Sequence, residues 1–262
     1  MAVDEKTIQP DIMQNAQFLK QLIPILFIGG GLSVFVLIWI AGAHFARKRR
    51  QALEQLAEAL GFTFIPKALP TVLVGIPQFT LLQAGRRKQI ENLLCGSNGT
   101  TQVMIFDWRY VTGSGKSSRT HLSTIVAIQS QELRQPLWLC RPESVFDKIG
   151  LTFDGRDIDF EDQPLFSMKY HLHGNNEKRI RDLFDSDVCT FFAQHTGMYA
   201  EASGEWLIYC RQEKKIAPEK VRELLQDAFQ LHVLLKAAPA ESQPAISDQA
   251  RDEMPPEAER QL

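Results

Sequence analysis

The run Gly113-Ser114-Gly115-Lys116-Ser117 has the residue types of a phosphate-binding loop. That chemistry needs G-x-x-x-x-G-K-[ST], and the place five residues before Gly115 is Tyr110. The loop must also open a helix whose first amides hold the phosphate. Here it leads into Thr120–Ile128, rich in β-branched residues, so it reads as a hairpin tip. His171-x-His173 puts two imidazoles on one strand face, but a catalytic zinc wants a third protein ligand and no HExxH or His/Cys set supplies it. Asp157, Asp159 and Glu161 fall on one face of an alternating segment. Three carboxylates suit a hard cation, yet no glycine stands at the sixth place of an EF-hand loop, so a solvated strand face is expected. No G-x-S-x-G and no thiol-protease signature occurs. The residues therefore name no catalytic group, no metal ligand and no cofactor.

A recognition surface is the remaining candidate. Glycine-rich tips on rigid hairpins often carry binding residues. Around this tip stand Arg109, Tyr110, Gly113, Gly115, Lys116, Arg119 and His121.

The elements that must hold this tip can be read from periodicity. Val103–Val111 alternates, with Met104, Phe106, Trp108 and Tyr110 on an aromatic face, and Thr120–Ile128 pairs with it as a hairpin. Phe62–Ile65, Phe79–Gln83, Leu137–Cys140, Arg156–Glu161 and Lys169–His173 read as further strands. Gln89–Leu94 fits strand or helix equally. Pro142 is placed to start a short helix with Val145, Phe146 and Ile149. Asn175 or Asn176 caps a helix with Ile180, Leu183 and Phe184 inward, and Asp185-Ser186-Asp187 restarts a second. Met198–Ala202 and Glu205–Arg211 form a hairpin over Ser203-Gly204. Pro218 opens a last helix with Val221, Leu224, Leu225, Ala228, His232 and Leu235 on one face. Hairpins rather than βαβ units predict an α+β domain with an antiparallel sheet and helices mainly in the C-terminal half.

Before the domain lies a run with no charged side chain. The 22 residues from Leu22 to Ala43 include thirteen Leu, Ile, Val or Phe. As a helix they span about 33 Å, enough for a hydrocarbon core of about 30 Å. A cleavable signal peptide needs a positive start and a shorter core. The expected layout is an extracytoplasmic 1–21, a transmembrane helix over 22–44, a juxtamembrane helix over 45–61, a soluble domain over 62–236 and a disordered acidic tail over 237–262. The segment before the run is net negative, and Arg47-Lys48-Arg49-Arg50 follow it. The positive-inside rule then puts the N-terminus outside and the domain in the cytosol of a bacterial plasma membrane. Gly29 and Ser33 are spaced for weak self-association of the anchors.

Between Phe62 and Lys236 stand 21 Lys/Arg and 20 Asp/Glu. A near-neutral domain lacks the basic footprint of a nucleic-acid binder. Cys95, Cys140, Cys189 and Cys210 form no CxxC pair and no dense framework, which fits reduced thiols in a cytosol.

Gly85-Arg-Arg-Lys, Asn92-Leu-Leu, Phe106-Asp107, Tyr110, Thr112-Gly113, Gly115-Lys116, Thr124-Ile-Val-Ala, Arg141-Pro-Glu, Asp157-Ile-Asp-Phe and Phe166-Ser followed by Tyr170 form a pattern spread over Arg47–Leu235. It resembles an uncharacterised family of bacterial membrane proteins with one N-terminal membrane helix and a cytosolic-type domain. The resemblance implies bacterial origin and the anchor-plus-domain layout, and brings no activity or catalytic residues. The sequence thus reads as a membrane-tethered interaction or scaffold module. It is held to the bilayer through 22–44, with a protein partner and no nucleic acid. The alternative is a ligand-binding or enzymatic domain acting on an anionic small molecule at the 109–121 loop.

Overall fold

The computed structural model describes residues 36–143 and 157–237. Two units are distinguished, residues 1–56 and 57–262. In the first, every described residue from 36 is helical, and the helix, α1, runs on without a break to residue 60. No helix among the described residues is long and apolar enough to cross a membrane. The greater part of the expected 22–44 span lies outside the described residues, as do the 1–21 segment, the Gly29–Ser33 step, the helix expected after Pro142 and the tail beyond 237.

The second unit is built on one eight-stranded sheet. Its strands are β1 (Thr63–Ala68), β2 (Arg86–Asn98), β3 (Thr101–Thr112), β4 (Arg119–Ser130), β5 (Gln135–Pro142), β6 (Tyr170–Gly174), β7 (Tyr199–Gly204) and β8 (Trp206–Cys210). Their spatial order is β1-β2-β3-β4-β8-β7-β5-β6, and every pairing is antiparallel. The first four strands form a meander. The chain then builds the far edge with β5 and β6, and the β7–β8 hairpin fills the gap between. The α+β expectation with an antiparallel sheet holds for this unit.

Side-chain alternation splits the core into two layers. On one face Phe106, Trp108, Ile125, Tyr199 and Ile208 are buried with Phe79, Leu81 and Leu82 of the 79–84 segment. On the other lie α3 (Pro164–Ser167), α4 (Glu177–Leu183), α5 (Ser186–Gln194) and α6 (Val221–Ala237). An aromatic layer fills that side. Phe184 meets Trp138 edge-on at 5.0 Å, Phe166 stacks on Tyr170 at 5.6 Å, and Phe191 faces Tyr209 at 6.0 Å between ring centroids. Asn176 caps α4 by accepting from the Arg179 amide, and Asp185 caps α5 by accepting from the Asp187 and Val188 amides.

Two expectations are corrected and one open reading is resolved. Phe79–Gln83 is not a strand: Thr80–Gln83 forms the short helix α2, because a buried carboxylate, Glu201, takes the Thr80 and Leu81 amides. Of the expected strand over Arg156–Glu161, residues 157–160 have no ladder. The alternation there reflects Ile158 and Phe160 pointing inward, with one backbone bond from the Ile158 amide to the Leu172 carbonyl. Gln89–Leu94 belongs to the long strand β2, whose period is hidden by irregularities at 86–89 and 91–94, with Arg87 and Asn92 at positive φ.

Candidate functional site

The β3–β4 hairpin keeps continuous register from Thr101↔Ser130 to Thr112↔Arg119. Its tip, 113–118, closes on itself: the Ser117 amide and hydroxyl both donate to the Ser114 carbonyl, at 3.1 and 2.8 Å. Gly113 and Gly115 take φ of 69° and 54°, the left-handed region where a side chain strains the backbone. Three residues, Gly115–Ser117, make a 3-10 turn that leads straight into β4. The tip therefore opens no helix of the kind that holds a phosphate. The Arg86 guanidinium lies beneath it, donating to the Gly113 carbonyl at 2.5 Å and to the Ser118 hydroxyl at 3.4 Å.

The hairpin register sorts the candidate residues. Tyr110 pairs with His121 across the strands, and their rings stack at 4.7 Å and 12°. Both are buried. Burial, seconded by the nearby Glu213 carboxylate, pushes the Tyr110 hydroxyl well above its ordinary range. Arg119 donates to Glu213 Oε2 at 2.7 Å, and the other Glu213 oxygen meets His121 Nδ1 at 2.8 Å. Thr112 Oγ1 lies 2.6 Å from His121 Nε2. Tyr110, Arg119 and His121 thus converge. Arg109 does not: one residue out of phase, it points from the opposite face and donates to Gln89 Oε1 at 3.2 Å. Lys116 stands exposed at the tip.

Glu213 is the member that sequence reasoning missed, along with Thr112. It sits in Arg211-Gln-Glu-Lys-Lys215, which looks like a solvated charge run. Its backbone takes φ of 57°, and its amide donates to the Ser123 hydroxyl at 3.0 Å, so the turn after β8 is laid across β4. The chain Glu213–His121–Thr112 has the order of an acid, a base and a hydroxyl. Its imidazole is fully enclosed between Tyr110 and its two partners, and neither of two surface grooves reaches it. One groove is lined by Lys67–Leu69 and Gln89–Glu91, the other by Gly61, Thr63, Cys95–Ser97 and Gln102–Met104. The arrangement locks the hairpin base to the 211–216 segment. Replacing His121 by Leu leaves the Thr112 hydroxyl and the Glu213 carboxylate without this partner. A loss of about 2–3 kcal/mol in urea unfolding is expected. Arg119→Ala, whose side chain is 51% exposed, should barely move the midpoint.

A second network lies on the other face of the same strands. Asp107 accepts from Asn92 Nδ2 at 2.9 Å and from Thr124 Oγ1 at 2.8 Å, and Lys215 Nζ lies 3.5 Å away. Elsewhere His171 meets Asp157, which also accepts from the Leu172 amide at 2.7 Å. Asp157 is thereby occupied on β6, while Asp159 and Glu161 are exposed, so the three carboxylates share no strand face. Among the described residues no group of three His, Cys, Asp or Glu side chains converges as metal ligands, and all four cysteines are unbridged.

No protein-family model matches the chain, and no curated protein matches it. Among solved structures, the crystal structure of the mycobacterial trehalose monomycolate transport factor A, TtfA, superposes with a TM-score of 0.56 at 14% identity. The match covers 75% of this chain and 99% of that one, so at this identity the two share a fold.

Proposed function

We propose that this chain is a membrane-tethered interaction module whose domain lies on the cytosolic side of a bacterial plasma membrane. The observation that carries the reading is in α1. Leu37, Ile38, Trp39 and Ile40 are consecutive, so they point all round the helix, and each is more than half exposed. A helix apolar on every side needs hydrocarbon around it. These residues lie near the end of the uncharged run Leu22–Ala43, and the basic cluster Arg47–Arg50 follows. The fold adds a direction. The neighbour is described as a transport factor, and an accessory role beside a membrane transport process, without catalysis of its own, is the corresponding reading here.

The alternative, an anionic small molecule held at 109–121, is the weaker reading. Arg119 is held by Glu213, Arg86 by the tip carbonyl, and Arg109 points from the other face. A photo-crosslinking residue at Arg109, exposed on the hairpin face opposite His121, in the full chain in its native membranes tests the interaction reading. It should yield a discrete adduct with an integral membrane protein. Absence of any adduct, together with thermal stabilisation by nucleotides or sugar phosphates, would establish the alternative instead.

A further inference from the structure

The antiparallel register brings separate parts of the sequence to one end of the sheet. The end of β1, the start of β2 and the β3–β4 tip all lie there. After β1 the chain turns through a 3-10 turn, Pro70–Leu73, that packs on β2. Around this turn three aliphatic side chains face solvent: Leu69 at 71%, Val72 at 42% and Val74 at 84% exposure. Beside them β2 opens with Arg86, Arg87 and Lys88, and Arg86 bonds the tip that carries Lys116. Among the described residues none of these four cations meets a carboxylate at ion-pair distance. The acids of this end are already matched, Glu91 with Lys215 and Glu213 with Arg119. A domain neutral in sum is therefore cationic here, around an apolar knuckle.

We infer that this sheet end docks onto an anionic bilayer surface, with Leu69, Val72 and Val74 entering the headgroup layer and Arg87, Lys88 and Lys116 facing lipid phosphates, while Arg86 braces the tip. Exposed aliphatic side chains ringed by cations match that interface in both polarity and charge. A headgroup layer satisfies both groups at once, taking the exposed aliphatic side chains into its apolar boundary and the neighbouring cations onto its phosphates. The contact would hold the domain against the bilayer to which the proposed anchor ties it, so the inference rests on the tethered reading.

The test uses the full chain in vesicles with an environment-sensitive dye on Val74→Cys. The unsubstituted chain gives the background from Cys95, the one native cysteine that is not buried. Vesicles of phosphatidylcholine alone are compared with vesicles carrying about one-third phosphatidylglycerol. On anionic vesicles the dye should shift to the blue and be quenched by brominated lipid. On neutral vesicles it should stay in water, and a dye on Val233→Cys of α6 should respond to neither. Each cation near the surface is worth about fivefold in the docked population, so the triple neutralisation Arg87→Gln, Lys88→Gln, Lys116→Gln lowers it by about a hundredfold. Circular dichroism checks that the fold survives. A Val74 probe that ignores lipid charge while the chain floats with the vesicles overturns the docking surface and leaves the tether standing. A chain that fails to float removes the tether, and the inference with it. A probe shielded in native membranes but not on pure anionic lipid assigns the patch to a protein partner and overturns the inference.

Discussion

Replacing Glu201 by Ala is expected to lower the unfolding free energy by about 3–5 kcal/mol, a large part of what a domain of this size has to lose. Glu201 lies on β7 with no exposed surface. It accepts from the Thr80 amide at 2.6 Å, the Thr80 hydroxyl at 2.8 Å, the Leu81 amide at 3.4 Å and the Tyr199 hydroxyl at 2.7 Å. Without the carboxylate these donors stay buried, and the 79–84 segment loses its hold on the sheet. Urea unfolding gives the magnitude, and faster proteolysis within 74–78 would report the released segment. A loss below about 1 kcal/mol would show that the segment is held by Phe79, Leu81 and Leu82 alone.

The same residue gives a pH signature. Burial raises the Glu201 carboxyl above its ordinary value of 4.5, opposed by its hydrogen bonds to Thr80, Tyr199 and Leu81. The folded state then binds the proton more tightly than the unfolded chain. The stabilising contribution is complete below about pH 4.5 and is lost as pH rises through the higher folded value. Glu201→Gln removes that dependence. Relative to the wild type, the Gln variant should gain stability as pH rises from 4.5, then level off. A difference constant from pH 4 to 8 would contradict it.

Asp107→Ala carries the second large effect, about 3–4 kcal/mol, because it orphans Asn92 and Thr124 together and leaves Lys215 beside an apolar gap. Asn92 takes φ of 51° in the β2 irregularity, so its side-chain bond to Asp107 also holds that distortion in place. Thr124 passes the effect on, since its hydroxyl accepts from the Ile216 amide at 3.0 Å. Asp107→Asn keeps the shape and should cost less than half as much. Chemical denaturation of both variants checks the order, and equal losses would show that charge, not hydrogen-bond capacity, is what the site needs.

Elements whose signals are local were legible in the sequence. The β3–β4 hairpin announces itself by strict alternation and a Gly/Ser tip, and the observed strands extend the expected ones by one or two residues at most ends. Asn176 and Asp185 are caps in the structure as in the sequence. What failed was set from far away. Residues 79–83 are a short apolar run that suits strand or helix, and Glu201, some 120 residues on, decides it. The candidate site was half visible for the same reason. Tyr110, Arg119 and His121 are neighbours through one hairpin, but Glu213 joins them across 92 residues. A hint was present in Tyr199-Ala-Glu201-Ala, where a carboxylate takes the apolar phase of a strand. The cationic sheet end was half visible: Arg86-Arg87-Lys88 is a basic run in the sequence, but Lys116 joins it only through the β2–β3–β4 register.

The tether is the claim on which the functional reading depends, and alkaline extraction of membranes from cells expressing the full chain tests it most directly. Carbonate at pH 11 strips peripheral proteins and leaves spanning ones in the pellet. The chain is predicted to sediment with the bilayer and to be released only by detergent. Recovery of the intact chain in the carbonate supernatant would contradict a spanning anchor.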